Sequence, residues 1–257
     1  MKKNNITAFT LAKLRERVSA FTLIELLVVI SIIAILASIA LPAFVSVQTK
    51  GSQTKALSNG KQIALAMRLY GSDHDGIYPS YVVDANGVAT TTPPTNVASS
   101  NDAFCQLFPT YLKTESIFYV AKSAWCPAAP DEKMDATLLV PSVSTLATGE
   151  NEWALVLGLN DTFNPSVPLI ADGFITGGES SHTYTKDQSL KGGVWKGAQA
   201  IVVRADGSSG ALQKVDATTL TVIGPNGSAA GTQGDIFTTA NGANGWLGIT
   251  NVVANPK

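Results

Sequence analysis

The chain has 257 residues, of which 45% are hydrophobic and 14% charged, with a formal net charge of −1. This balance excludes a disordered chain, and it offers no basic surface of the kind that nucleic acids require. About 210 residues follow the apolar N-terminal segment, enough for one sizeable domain.

Residues 1–20 carry Lys2, Lys3, Lys13, Arg15 and Arg17 against Glu16, a net +4 that leaves −5 on the remainder. From Phe21 to Ala40 the only polar residues are Thr22, Glu25, Ser31 and Ser38. At about 1.5 Å per residue, twenty residues reach about 30 Å, the thickness of a bilayer's hydrocarbon core. The segment therefore reads as one membrane crossing, since core helices of soluble proteins seldom run this long with no polar face. The basic leader stays in the cytoplasm by the positive-inside rule, and the bulk of the chain is exported.

Glu25 is the discordant residue, because an acidic group in a spanning helix costs about 2.5 to 3.5 kcal/mol at the bilayer centre and usually marks a partner. Cleavage between Ala20 and Phe21 would create an amine four residues away, on the same helix face. The helix dipole also favours an anion in this first turn. A neighbouring chain's amine is an equal candidate.

Beyond Pro42 the helical pattern continues, with Leu57, Ala64, Met67 and Tyr70 near one face. Pro42, Gly51 and Gly60 weaken it and predict bends. A turn cluster between Gly71 and Gly76 predicts the end of one helix of about fifty residues. Thr90 to Asn101 reads as a polar loop. Cys105 and Cys126 both lie in the exported part, where an isolated pair is expected to form a disulfide; two buried thiols are the alternative. Asn151 to Asn160, Ser166 to Phe174, Gln199 to Ser208 and Ala217 to Gly224 read as strands of an antiparallel sheet. The expected class is α+β, a long N-terminal helix with a transmembrane first half packed on a small antiparallel β-sheet domain with long loops. The expected parts are a basic leader (1–20), a spanning half-helix (21–42), its amphipathic continuation (43–76) and a β-rich globular domain (77–257).

The stretch "AFTLIELLVVISIIAILASIALP" resembles the N-terminal processing and methylation segment of type IV pilins and type II secretion pseudopilins. In that family a prepilin peptidase removes the leader before a Phe, the new N-terminus is methylated, the fifth mature residue is Glu and the twenty-second is Pro. The matching residues are Phe21, Glu25 and Pro42, while the position before the cut, usually Gly, is Ala20. "YGSDHDGIYPS", "AWCPAAP" and "AIVVRADGS" are similar, more loosely, to the globular part of pseudopilin-like proteins.

The resemblance implies a filament subunit whose partners are further copies of itself or related subunits, the prepilin peptidase, an inner-membrane assembly platform and membrane lipid. It implies a single-pass inner-membrane protein with a periplasmic C-terminal domain, later moved into a periplasmic or surface filament. It implies no enzyme and no cofactor, with one exception: major pseudopilins hold calcium near the C-terminus. The oxygen-rich loops at Asp206, Asp235, Asn241 and Asn244 are the candidate ligands, although Asp and Asn also simply make turns.

Other readings of the N-terminus are a secretory signal cut after Ala40, which a Glu in the apolar core disfavours, and a plain anchor carrying a non-polymerising periplasmic binding module. His74 and His182 have no nucleophile elbow, zinc pair, phosphate loop or dinucleotide fingerprint beside them in sequence.

Overall fold

The computed structural model describes residues 21–79, 99–126, 129–135, 144–175, 182–207, 211–223, 235–238, 247 and 251–257. Two compact units emerge, Met1–Gln48 and Thr49–Lys257. Helix α1 runs Leu23–Asp73 and contains Pro42, so the fifty-residue helix is present. Within the first unit its apolar side chains, from Leu23 to Val47, are exposed.

In the second unit α1 has a buried face: Gln53, Ala56, Asn59, Gly60, Ile63, Ala64, Ala66, Met67 and Gly71. Burial of Ile63 and Met67 stabilises the seat by about 1.5 to 3 kcal/mol each. Gly60, which weakens the helix on propensity alone, lies directly against side chains of the sheet. A Cβ there would lie 2.9 Å from Val203 Cγ2 and 3.1 Å from Trp153 Cη2. The helix ends as the turn cluster predicts: His74 and Gly76 donate their backbone N–H groups to the Gly71 carbonyl at 3.1 and 2.8 Å. Asp75 (φ 52°) and Gly76 (φ 80°) adopt the left-handed conformation that reverses the chain.

Five antiparallel strands form one sheet in the order β4-β3-β2-β1-β5: β1 Trp153–Leu157, β2 Pro168–Asp172, β3 Gln199–Arg204, β4 Ala211–Lys214 and β5 Val252–Ala254. Trp153 pairs with Asp172 and Leu155 with Ala254. Every residue of β1 and β2 is buried, which explains why these strands read as continuous apolar runs: both faces of the sheet centre are covered.

Three sequence expectations fail in part. Ala217 to Ile223 is not a strand, because the Asp216 carboxylate accepts from the N–H groups of Thr218 and Thr219 and closes a turn. Only isolated bridges, Val215 to Val222 and Ile223 to Asp235, flank it. Two true strands, β4 and β5, go unread because they are three or four residues long. Finally, the predicted loop ends in a helix: α2 spans Ser100–Phe104, while residues 90–98 lie outside the described ones.

Helix α2 buries polar side chains and satisfies them. Ser100 Oγ donates to the Trp153 carbonyl at 2.6 Å, and Asn151 Nδ2 donates to Ser100 Oγ and to Asn101 Oδ1. Lys257 closes the same region through its N–H to Asn101 Oδ1 and its ammonium to Asp102 at 2.8 Å. Lys257 is thereby tied to α2, which is itself bonded to β1 through Ser100.

Candidate functional site

The N-terminal site begins at Phe21, which is exposed; Ala20 lies outside the described residues. Thr22 stands at the N-cap of α1, three residues before Glu25. Glu25 N–H donates to Thr22 Oγ1 at 3.2 Å, and Thr22 N–H donates back to Glu25 Oε2 at 2.9 Å. The Thr22 hydroxyl adds a third bond to the same oxygen at 2.8 Å. This is a capping box, in which one residue pair satisfies two N-terminal donors that the helix leaves without partners. The sequence reading did not name this box, although the Thr-x-x-Glu spacing of Thr22 and Glu25 carries its signature. Both bonds from Thr22 end on Oε2, so among the described residues Oε1 has lone pairs to offer another donor.

The rest of the apolar stretch satisfies its own polar groups. Ser31 Oγ donates to the Leu27 carbonyl at 2.7 Å, and Ser38 Oγ to the Ile35 carbonyl at 2.8 Å. Such internal pairing is what hydrocarbon surroundings require. Pro42 has no N–H, so the Ser38 carbonyl receives no helical bond from that position. Among the described residues this helix is long and apolar enough to cross a membrane.

The expected Cys105 to Cys126 bridge is absent, and both are buried free thiols. The Cys105 thiol, just after α2, donates to the Asp102 carbonyl at 2.9 Å. Cys126 sits in a separate turn, facing Ser123 and the buried Glu152 carboxylate. Burial pushes the Cys105 thiol up to about 12, aided by the nearby Asp102 charge, and pushes Cys126 up as well.

The proposed calcium ligands do not share a described site. Asp235 spends both oxygens internally: Oδ2 accepts from His182 N–H and bonds His182 Nδ1 at 2.7 Å, and Oδ1 accepts from Phe237 N–H. Asp206 follows β3, where its carbonyl accepts from Arg68 Nη1 at 2.8 Å. Asn241 and Asn244 lie outside the described residues. His182 is enclosed by Phe174 and Phe237, and the exposed His74 ring stacks on Tyr70 at 3.8 Å.

Sequence reading missed a different group. Glu115, Asp131 and Glu150 bring one carboxylate oxygen each to within 4.8 Å of the others. Burial, with Glu150, Glu132 and Asp131 nearby, pushes the Glu115 carboxyl up to about 7. The three residues are spread over 36 positions without regular spacing, so no motif could have flagged them.

A family model described as the prokaryotic N-terminal methylation motif matches residues 15–41. The type IV major pilin protein PilA of Myxococcus xanthus (strain DK1622) is 39% identical over 64 residues, covering 25% of this chain and 29% of that protein. The chain therefore matches less than a third of the curated relative's length. No solved structure matches it. The capped apolar helix thus coincides with a prokaryotic N-terminal methylation motif, and part of the chain is similar to a type IV major pilin.

Proposed function

We propose that this chain is a structural subunit, cut by a prepilin peptidase between Ala20 and Phe21, methylated at Phe21 and assembled into a filament. It enters the inner membrane once through α1, with its C-terminal unit in the periplasm, and leaves the bilayer for a periplasmic or surface filament. A type II secretion-like system is the assembly we favour, with an inner-membrane platform as the handling partner. The Asp75–Gly76 turn that closes α1 supports the pseudopilin-like reading.

The observation that carries the proposal is the Thr22–Glu25 constellation heading an exposed apolar helix within the matched motif. Lipid already solvates apolar side chains, so association of such helices needs close packing and a directional polar contact. Glu25 is the only charged residue between Arg17 and Lys50. Its Oε1 can accept from the Phe21 amine of its own chain or of a neighbour, which gives the stack a register.

The test is mass spectrometry of the N-terminal peptide from membrane and sheared surface fractions, for wild type and Glu25→Ala. A methylated Phe21 start in both proteins, with the variant depleted from sheared material, is the expected outcome. An intact Met1 or a start at Leu41 defeats the processing claim, and normal shearing of the variant defeats the register role.

A further inference from the structure

Three segments distant in sequence converge on the acidic group of the globular unit. Glu115 opens the 3₁₀ turn Glu115–Phe118, Asp131 lies in the irregular stretch 129–135 beside the left-handed Glu132, and Glu150 lies two residues before Glu152 at the entry to β1. Glu115 is fully buried, Glu150 half-buried and Asp131 exposed, so the three oxygens form a path from the core to solvent.

The protein's own donors reach five of the six carboxylate oxygens, Lys133 taking both of Asp131 through its N–H and its ammonium. Leu146 N–H donates to Glu115 Oε1 at 2.8 Å. Ala147 and Asp131 N–H groups donate to Glu150 Oε2 and Oε1 at 2.7 and 3.2 Å. An independent observation singles out the deep end: Glu115 Oε2 is buried and has no hydrogen-bond partner. A buried carboxylate oxygen without a donor is costly, and three more carboxylates nearby compound the cost. Glu132 does not relieve it, since its own oxygens accept from Thr114 Oγ1 and from the N–H groups of Glu115 and Ser116.

We propose that Glu115, Asp131 and Glu150 form a binding site for a hard divalent cation, calcium, that clips the three segments together. An all-oxygen, all-carboxylate donor set selects calcium or magnesium over softer metals. Calcium takes oxygens at about 2.3 to 2.6 Å, so ligands on opposite sides stand about 4.6 to 5.2 Å apart. The three oxygens, all within 4.8 Å of one another, are close enough to converge on one such ion. Each carboxylate oxygen keeps a lone pair beyond its hydrogen bond, and water completes the shell from the exposed Asp131 side. Lys133 now pairs with Asp131 from the rim; its side chain is 75% exposed and can swing away. The site differs from the C-terminal loops expected from sequence, and it does not depend on whether the chain polymerises.

The experiment uses the full chain in mild detergent, stripped with a chelator and titrated with calcium chloride by calorimetry and thermal melting. The expected result is one calcium per chain and a Tm rise of about 5 °C or more once calcium exceeds its Kd a hundredfold. Asp131→Asn, at an exposed position that leaves the fold intact, should weaken binding at least tenfold, and Glu150→Gln likewise. Glu115→Gln should abolish it; if that buried variant fails to fold, the other two decide. Asp206→Asn should bind as wild type does. The proposal is overturned by the absence of heat and Tm shift in wild type. It is equally overturned by an unchanged response in Asp131→Asn and Glu150→Gln, by loss in Asp206→Asn, or by a response to magnesium alone.

Discussion

Gly60 and Gly51 lie on one helix and differ in a single respect, which makes the pair a test of how α1 is seated. Replacing a helical Gly by Ala stabilises by about 1 kcal/mol through backbone propensity. At Gly51 nothing lies within 4 Å of the added Cβ, so that gain should appear undiminished. At Gly60 the methyl would meet Val203 Cγ2 at 2.9 Å and two Trp153 ring carbons at 3.1 and 3.2 Å. All three are inside the roughly 3.5 to 4.0 Å optimum for carbon pairs. Overpacking of this kind costs about 1 to 3 kcal/mol, because Trp153 is itself fully buried and has nowhere to retreat. Gly60→Ala should therefore be neutral to about 2 kcal/mol destabilised, and the two variants should differ by about 1 to 3 kcal/mol. For a unit of this size that separates their melting temperatures by about 2 to 12 °C, measured by circular dichroism in one detergent. Equal stabilisation by both substitutions would mean that the helix does not rest on Trp153 and Val203, and the account of Gly60 as a contact residue would fall.

Asp172 is wholly buried, and burial holds its carboxyl at about 7 against an ordinary 3.8, despite hydrogen bonds from Ile201 N–H and Trp195 Nε1. Because the folded value is the higher one, its contribution is fully present below about pH 4 and is lost by about 1.4 kcal/mol per pH unit as pH rises through 7. Asp172→Asn should remove about one proton's worth of slope from urea midpoints between pH 4 and 7.5, leaving that of Glu152, which burial pushes to about 8; an unchanged slope would contradict the assignment. The buried thiols make a separate prediction: native protein should resist iodoacetamide, and protein unfolded without reductant should gain two carbamidomethyl groups. Labelling that appears only after reduction would establish the bridge expected from sequence.

The parts legible in sequence were those set by local chemistry. The apolar run, the Gly71 to Gly76 stop and the three inner strands β1, β2 and β3 follow from hydropathy and turn residues, which act over a few positions. The Ala217 to Gly224 stretch misled because its β-branched Thr and Val residues favour strands, while Asp216 offers the backbone a closer partner and wins. Gly60 misled in the opposite sense: propensity treats glycine as a defect, but its missing side chain is what admits Trp153. The thiols follow a similar logic, since the exported location predicts chemistry but says nothing about which neighbours claim each sulfur. The acidic group of Glu115, Asp131 and Glu150 exists only because three loops converge, a product of tertiary packing that leaves no periodic trace.

Glu25 shows why one residue can carry two requirements without conflict. Within its own chain it completes the capping box, so removing it takes the acceptor from the Thr22 N–H and hydroxyl. That local task uses Oε2 alone, and a carboxylate has a second oxygen. A neutral Gln at this position could have closed the box without the cost of a charge in an apolar segment. Retaining a charge there is economical only if the second oxygen also has a cationic partner. The proposed processing would supply one, because cleavage before Phe21 would convert an amide into an amine four residues from the carboxylate. The cut would therefore do more than shorten the chain: it would turn an isolated anion into half of an ion pair, and subunits with uncut leaders would lack the other half.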